Sequence, residues 1–159
     1  MKRTLTSRAL AALLVLSLAG CGGGPELGEV FDGTVNDYDG VTMSVVEGTA
    51  APGQVSVEVV NDTDLDVYSS TADEFGLQAE QDGQWRWLER QDPGTETDAF
   101  ASKAVVLAPG ASQEFIYAWN DSYGTLEPGR YRVTNRVFVN PVPGEDSVHF
   151  LLAAEFTLE

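Results

Sequence analysis

Two residue types that carry much of protein chemistry are nearly missing. The 159-residue chain has one histidine and one cysteine. A single cysteine excludes an internal disulfide, and one His with one Cys excludes an ordinary structural zinc site. Positive charge is scarce as well: 9 Lys and Arg stand against 25 Asp and Glu, a formal net charge of −16. That balance excludes a nucleic-acid partner, because phosphate binding needs a cationic footprint. The longest apolar run, Ala9–Leu18, is interrupted only by Ser17 and falls well short of the roughly 20 residues that cross a bilayer as a helix. Hydrophobic residues still make up 43% of the chain. That is enough for one ordinary core and excludes a wholly disordered chain. The length makes a single domain the default.

What is present begins with an export signal. Lys2, Arg3 and Arg8 form a positive region ahead of Ala9–Leu18, the build of a secretory signal over residues 1–20. Leu18-Ala19-Gly20-Cys21 then resembles the bacterial lipobox. The resemblance implies that the Cys21 thiol is alkylated by diacylglycerol and that the peptide is cut just before it. Two or three acyl chains, at about 0.8 kcal/mol per buried methylene, anchor a protein where one does not. The expected partner is therefore the membrane, reached through lipid on Cys21, at its extracytoplasmic face. Removing residues 1–20 removes three basic and no acidic residues, which leaves 6 basic and 25 acidic, net −19. Anionic headgroups repel such a surface. Gly22-Gly23-Gly24-Pro25 and the acidic stretch to Gly40 read as a flexible tether over residues 21–40. Phe31, Val35 and Tyr38 are the residues in it able to dock on the domain.

From Val41 to the end the chain has period two, broken by turn formers. Strands are expected at Val41–Val46, Val55–Val60, Phe75–Glu80, Trp85–Leu88, Val105–Leu107, Glu114–Trp119, Tyr131–Val139 and Val148–Leu158. Asp82-Gly83 is a two-residue hairpin signal. Phe115, Tyr117 and Trp119 share one face. No segment after the signal has a helical period. About seven or eight strands in this length are the signature of an all-β, immunoglobulin-like Greek-key sandwich over residues 41–159. Leu107-x-Pro109-Gly110 and Leu126-x-Pro128-Gly129 each suit a type II turn. The second continues into Tyr131, which resembles the tyrosine corner of immunoglobulin-like domains. Its hydroxyl is expected on backbone near Leu126–Pro128. Val133 stands where antibody domains carry Cys, so packing alone is expected to hold the sheets together.

Val60-Asn61-Asp62-Thr63-Asp64, Gly83-Gln84-Trp85, Leu107-Ala108-Pro109-Gly110 and Tyr123-Gly124-x-Leu126-x-Pro128-Gly129-x-Tyr131-Arg132 together resemble the bacterial Ig-like domains of envelope lipoproteins. The resemblance implies a non-enzymatic interaction module with an unidentified protein partner. Asp82-Gly83 with Trp85-Arg86-Trp87 also resembles the Ig-like intracellular proteinase inhibitors of Bacillus-type bacteria. Under that alternative the polar loop Gln91–Ala99 would be presented to a protease. The lipobox argues against an intracellular home.

The candidate sites are few. Trp85 and Trp87 lie on one face of a strand, either as core or as an exposed aromatic pair for binding. Arg130, Arg132 and Arg136 share one parity along one strand, alternating with core positions Tyr131, Val133 and Val137. They are expected to meet carboxylates; left unpaired they would form a stripe for an anionic ligand. Asp62, Asp64 and Asp66 match the opening of a calcium loop, but Val67 and Asp73 stand where an EF-hand has Gly and Glu. A solvated acidic turn is the reading favoured over a calcium site. His149 sits in a strand with no second His or Cys near it. No Gly-x-Ser-x-Gly elbow raises any serine above the others. No catalytic residue, cofactor or metal is expected. Cys21→Ser should move the protein from the membrane fraction to the soluble fraction or leave it as uncleaved precursor, read by fractionation and immunoblot. Soluble wild-type mature protein with a free Cys21 thiol would refute the anchor.

Overall fold

Alternation decides which way each strand faces. In Gln54–Asn61, Val55, Val57 and Val59 are fully buried while Glu58 is exposed. The computed structural model describes residues 24–71, 74–91, 104–139 and 147–159. The expected signal over residues 1–20, Cys21 and all but the first residue of Gln91–Ala99 lie outside the described residues.

Ten strands are described: β1 (Leu27–Val30), β2 (Val41–Val45), β3 (Gln54–Asn61), β4 (Val67–Ser69), β5 (Phe75–Gln81), β6 (Gln84–Leu88), β7 (Val105–Leu107), β8 (Ser112–Ala118), β9 (Gly129–Val139) and β10 (Val148–Leu158). They form a three-stranded sheet, β2-β3-β8, packed on a seven-stranded one. The larger sheet is organised by β9, which pairs with β10 along its whole length. Its other edge takes β5 at Tyr131–Asn135 and β4 at Val137–Val139. β6 and β1 continue outward from β5, and β7 from β4. All pairings are antiparallel. β4 and β5 thus run as one strand, interrupted opposite Arg136, where the Ser70 N–H still donates to Arg136 O at 3.0 Å.

The core lies between the sheets. Val55, Val57, Val59, Phe115 and Tyr117 face Leu77, Val133, Val137, Leu152 and Phe156. At its centre the Asn135 amide donates to Tyr117 Oη on the opposite sheet and to Ser69 Oγ at 3.0 Å, while Ser70 Oγ donates to Asn135 Oδ1 at 2.5 Å. A second buried amide, Asn61, donates to Leu107 O at 2.9 Å and Leu65 O at 2.8 Å, tying the end of β3 to β7. Packing alone therefore does not hold the sheets: where no disulfide is available, hydrogen-bonded amides cross the core. The corner expectation is met, with Tyr131 buried and its hydroxyl donating to Glu127 O at 2.8 Å. Asp82 (φ 53°) and Gly83 (φ 77°) form the tight hairpin between β5 and β6.

Two further expectations are corrected, and one strand was missed. Residues 24–40 are not a free tether. β1 pairs with β6, the Asn36 N–H donates to Leu151 O at 2.8 Å, and Tyr38 stacks on Phe150 at 4.5 Å. Isolated apolar residues among acids gave no alternation to read, yet Phe31 and Tyr38 both find ring partners on the domain. Domain structure consequently starts before residue 41. β4 was also hidden, because Val67-Tyr68-Ser69 is too short to show a period. Finally, Pro109-Gly110 turns with Gly110 at φ 76° and Ala111 N–H donating to Ala108 O, but Gly129 has no positive φ and opens β9. Space favours glycine there: a Cβ would sit a tight 3.2 Å from the Tyr131 ring.

Asn135→Ala leaves the buried Tyr117 hydroxyl without its partner, while Ser69 Oγ keeps Ser70 O and Ser70 Oγ keeps Glu74 O. At about 1–3 kcal/mol per unsatisfied buried group, the loss should be about 2 kcal/mol in urea unfolding. A loss below about 1 kcal/mol would show the network to be dispensable. Burial also pushes the Tyr117 phenol well above its ordinary 10.0, with the Asn135 hydrogen bond acting in the opposite sense. Below that value the folded and unfolded chains both hold the proton, so this group adds no pH dependence. Above it the unfolded chain ionises while the folded chain does not, and stability falls. The expected slope is about 1.4 kcal/mol per pH unit for this residue above about pH 10. Urea titrations from neutral to alkaline pH should show it, and Tyr117→Phe should flatten it.

Candidate binding face

The even positions of β9 put Arg130, Arg132, Thr134 and Arg136 on the outer face of the seven-stranded sheet. Register adds the rest of each rung. Trp87 lies beside Gln78, Gln78 beside Arg132, and Arg132 beside Glu155. Trp85 lies beside Glu80 on the neighbouring rung. The Trp87 ring lies over Gly76, where a Cβ would come within 2.6 Å of it. Trp85 and Trp87 are therefore neither inter-sheet core nor bare surface. Both are half-buried on this outer face.

The three arginines have three different fates. Arg130 meets the expected carboxylates, Glu80 at 2.7 Å and Glu155 at 2.6 Å, in an exposed pair of ion pairs. Arg132 does not. Its guanidinium carbon lies 4.4 Å from the Trp85 ring centroid and 4.9 Å from that of Phe31, between the two rings. Its Nε donates to Gln78 Oε1 at 2.6 Å. It is 5% exposed and makes no ion pair among the described residues. Burial lowers its pKa, with the Glu155 charge acting in the opposite sense. Phe31 also meets Trp87 edge-on at 5.5 Å. The bond to Arg132 fixes the orientation of the Gln78 amide and leaves its fully buried Nε2 without an acceptor.

Arg136 is exposed and also unpaired among the described residues. It borders a cleft of about 290 Å³ lined with Thr34, Asp37, His149, Phe150 and Leu151. The adjoining rung is aromatic: Tyr68 stacks on Phe138 at 4.7 Å, and Phe138 meets His149 at 5.4 Å. Val106, beside Tyr68, is 52% exposed. The basic stripe thus divides into a paired end, a ring-covered middle and a free end.

The other candidates come together less. Asp62, Asp64 and Asp66 are all exposed. Their turn is built by Asn61 Oδ1, which accepts from Thr63 N–H at 3.0 Å and Thr63 Oγ1 at 2.7 Å. Among the described residues no three His, Cys, Asp or Glu side chains converge as metal ligands. Phe31, Gln78 and Tyr68 were not legible as site residues. The rung that Gln78 shares with Trp87 and Arg132 depends on register, which local pattern does not carry.

Two antiparallel sheets, a core between them and a tyrosine corner define an immunoglobulin-like domain. The chain belongs to the bacterial Ig-like domain family, whose sequence model matches residues 37–157. No curated protein matches it. A solved structure to which it is similar is the ASH / PapD-like domain of human CEP192 (PapD-like domain 7), at 16% identity and TM-score 0.30, covering 80% of this chain and 92% of that one.

Proposed function

We propose that this chain is a lipid-anchored envelope protein whose Ig-like domain works without catalysis, as a binding module for a protein partner. The anchor rests on Leu18-Ala19-Gly20-Cys21 behind a signal of the right build. The module reading rests on one observation. Three of the six basic residues left after residue 20 lie on one sheet face, beside Trp85, Trp87 and Tyr68. Arg, Trp and Tyr are the residues most enriched at interface hot spots. On a domain of net charge −19, an exposed Arg136, unpaired among the described residues, is the local exception to the field, and it suits a partner that offers a carboxylate. The proteinase-inhibitor alternative depends on Gln91–Ala99 and gains nothing from the fold.

The test is cross-linking in intact membranes. Arg136→Glu should cut the yield of the cross-linked partner by at least about tenfold, about 1.4 kcal/mol of affinity, with unchanged thermal unfolding. Glu114→Arg, on the exposed face of the smaller sheet, is the control and should leave the yield unchanged. Full yield from Arg136→Glu would show that this face is not the contact.

A further inference from the structure

The chain's own residues 31–38 cross the face just described. After β1 leaves the β6 edge, Phe31 drops its ring onto Arg132 and Trp87. The chain then reaches the far edge, where the Asn36 side chain accepts from Ala153 N–H at 2.9 Å and donates to Ala153 O at 3.0 Å. Tyr38 closes the crossing against Phe150. Two features mark this strap as a cover rather than as part of the domain. The family match begins at residue 37, so most of the strap precedes the conserved unit of the family. The strap is also tied at its two ends rather than along its length: Phe31 at one end and Asn36 with Tyr38 at the other make its hydrogen bonds and ring contacts to the sheet, Asp32, Gly33 and Thr34 between them are exposed, and β1 has four residues with an irregular register.

The strap fits the slot incompletely. It supplies the aromatic ring that stacks on Arg132, but its own carboxylate, Asp32 next to Phe31, is exposed and makes no ion pair among the described residues. Beneath the ring lie a guanidinium with no carboxylate in ion-pair reach among the described residues and the orphaned Gln78 Nε2. A buried donor without a partner and a desolvated charge both cost free energy, and an incoming acceptor recovers it. An occupant that keeps the ring and adds a carboxylate satisfies both groups.

We propose that the Trp85–Arg132–Gln78–Trp87 slot is a peptide-binding site masked by residues 31–38, and that its ligand is an extended segment of a partner protein with an aromatic residue beside a carboxylate. The proposal rests on the reading of this face as the binding surface. It adds the ligand class and a built-in competitor. A covalently attached occupant competes at an effective concentration of about millimolar, so weak ligands are excluded until the strap lifts.

The test uses the full mature chain with Cys21→Ser and a fluorescent peptide of the chain's own residues 26–38. Phe31→Ala combined with Asn36→Ala should loosen the strap and bind the peptide at least about tenfold more tightly than the otherwise unaltered chain. Adding Arg132→Gln should remove the gain. No gain in the loosened chain, or a gain that survives Arg132→Gln, overturns the proposal. If the loosened chain fails to fold, hydrogen exchange on the unaltered strap decides. The amides of Phe31 and Ala153, which donate to Trp85 O and Asn36 Oδ1, should exchange at least about 100-fold faster than those of the Gly129–Val139 ladder. Equal rates would make the strap an integral strand and end the idea. Neither readout uses the anchor or the natural partner. Loss of the Arg136 effect would sink the module reading alone, and absence of a peptide gain would sink the strap alone.

Discussion

Asn135 is the point on which the two sheets agree. Its amide sits fully buried in β9, the strand with which β10, β5 and β4 all pair, and it reaches Tyr117 on the smaller sheet. A slip of β9 by one residue would turn the amide to the outside and bring a guanidinium into the core, at severe desolvation cost. The same alternation that buries Asn135 therefore fixes where the arginines stand. Ser69 and Ser70 extend the link to the break between β4 and β5. The core polar groups thus set both the register of β9 and the position of the interruption opposite Arg136.

That placement explains why the outer face has such uneven electrostatics. Arg130 lies one rung from Glu80 and Glu155 and is neutralised. Arg136 lies opposite the interruption, where no regular rung supplies an acid. Arg132 falls between, and rings rather than carboxylates surround it. A guanidinium tolerates this better than an ammonium would, being more weakly hydrated and flat enough to stack on aromatic faces. Lysine at position 132 would not be a conservative change.

Much of this was legible from the residues. Alternation located most of the strands, Asp82-Gly83 gave the hairpin, and Gly129-x-Tyr131 gave the corner. Those signals are local, carried by period and by turn chemistry. Pairing is not local. The sharing of a rung by Trp87, Gln78 and Arg132 depends on which strands are neighbours and on a register counted across two turns. The role of Asn36 was equally hidden: one polar side chain imitates a strand's backbone along the β10 edge, in a stretch without periodicity. Pro128-Gly129 misled for a related reason. The dipeptide suits a turn, but the Tyr131 ring needs the space above Gly129, and tertiary packing overrode the local preference.

The docking of the N-terminal segment also sets a length. Gly24 lies beside Thr125 and Glu127, and only three peptide links join it to Cys21. Fully extended, they span about 11 Å. A tether running to residue 40 would have let the domain roam a wide volume. On the proposed lipid at Cys21, this one would instead be held close to the bilayer by its N-terminal end. β9 is 11 residues long, about 36 Å at strand rise, and Arg130 and Arg136 stand towards its two ends. The proposed anchor would then confine the domain to a thin layer above the membrane. What it could meet there would be set by height as much as by affinity.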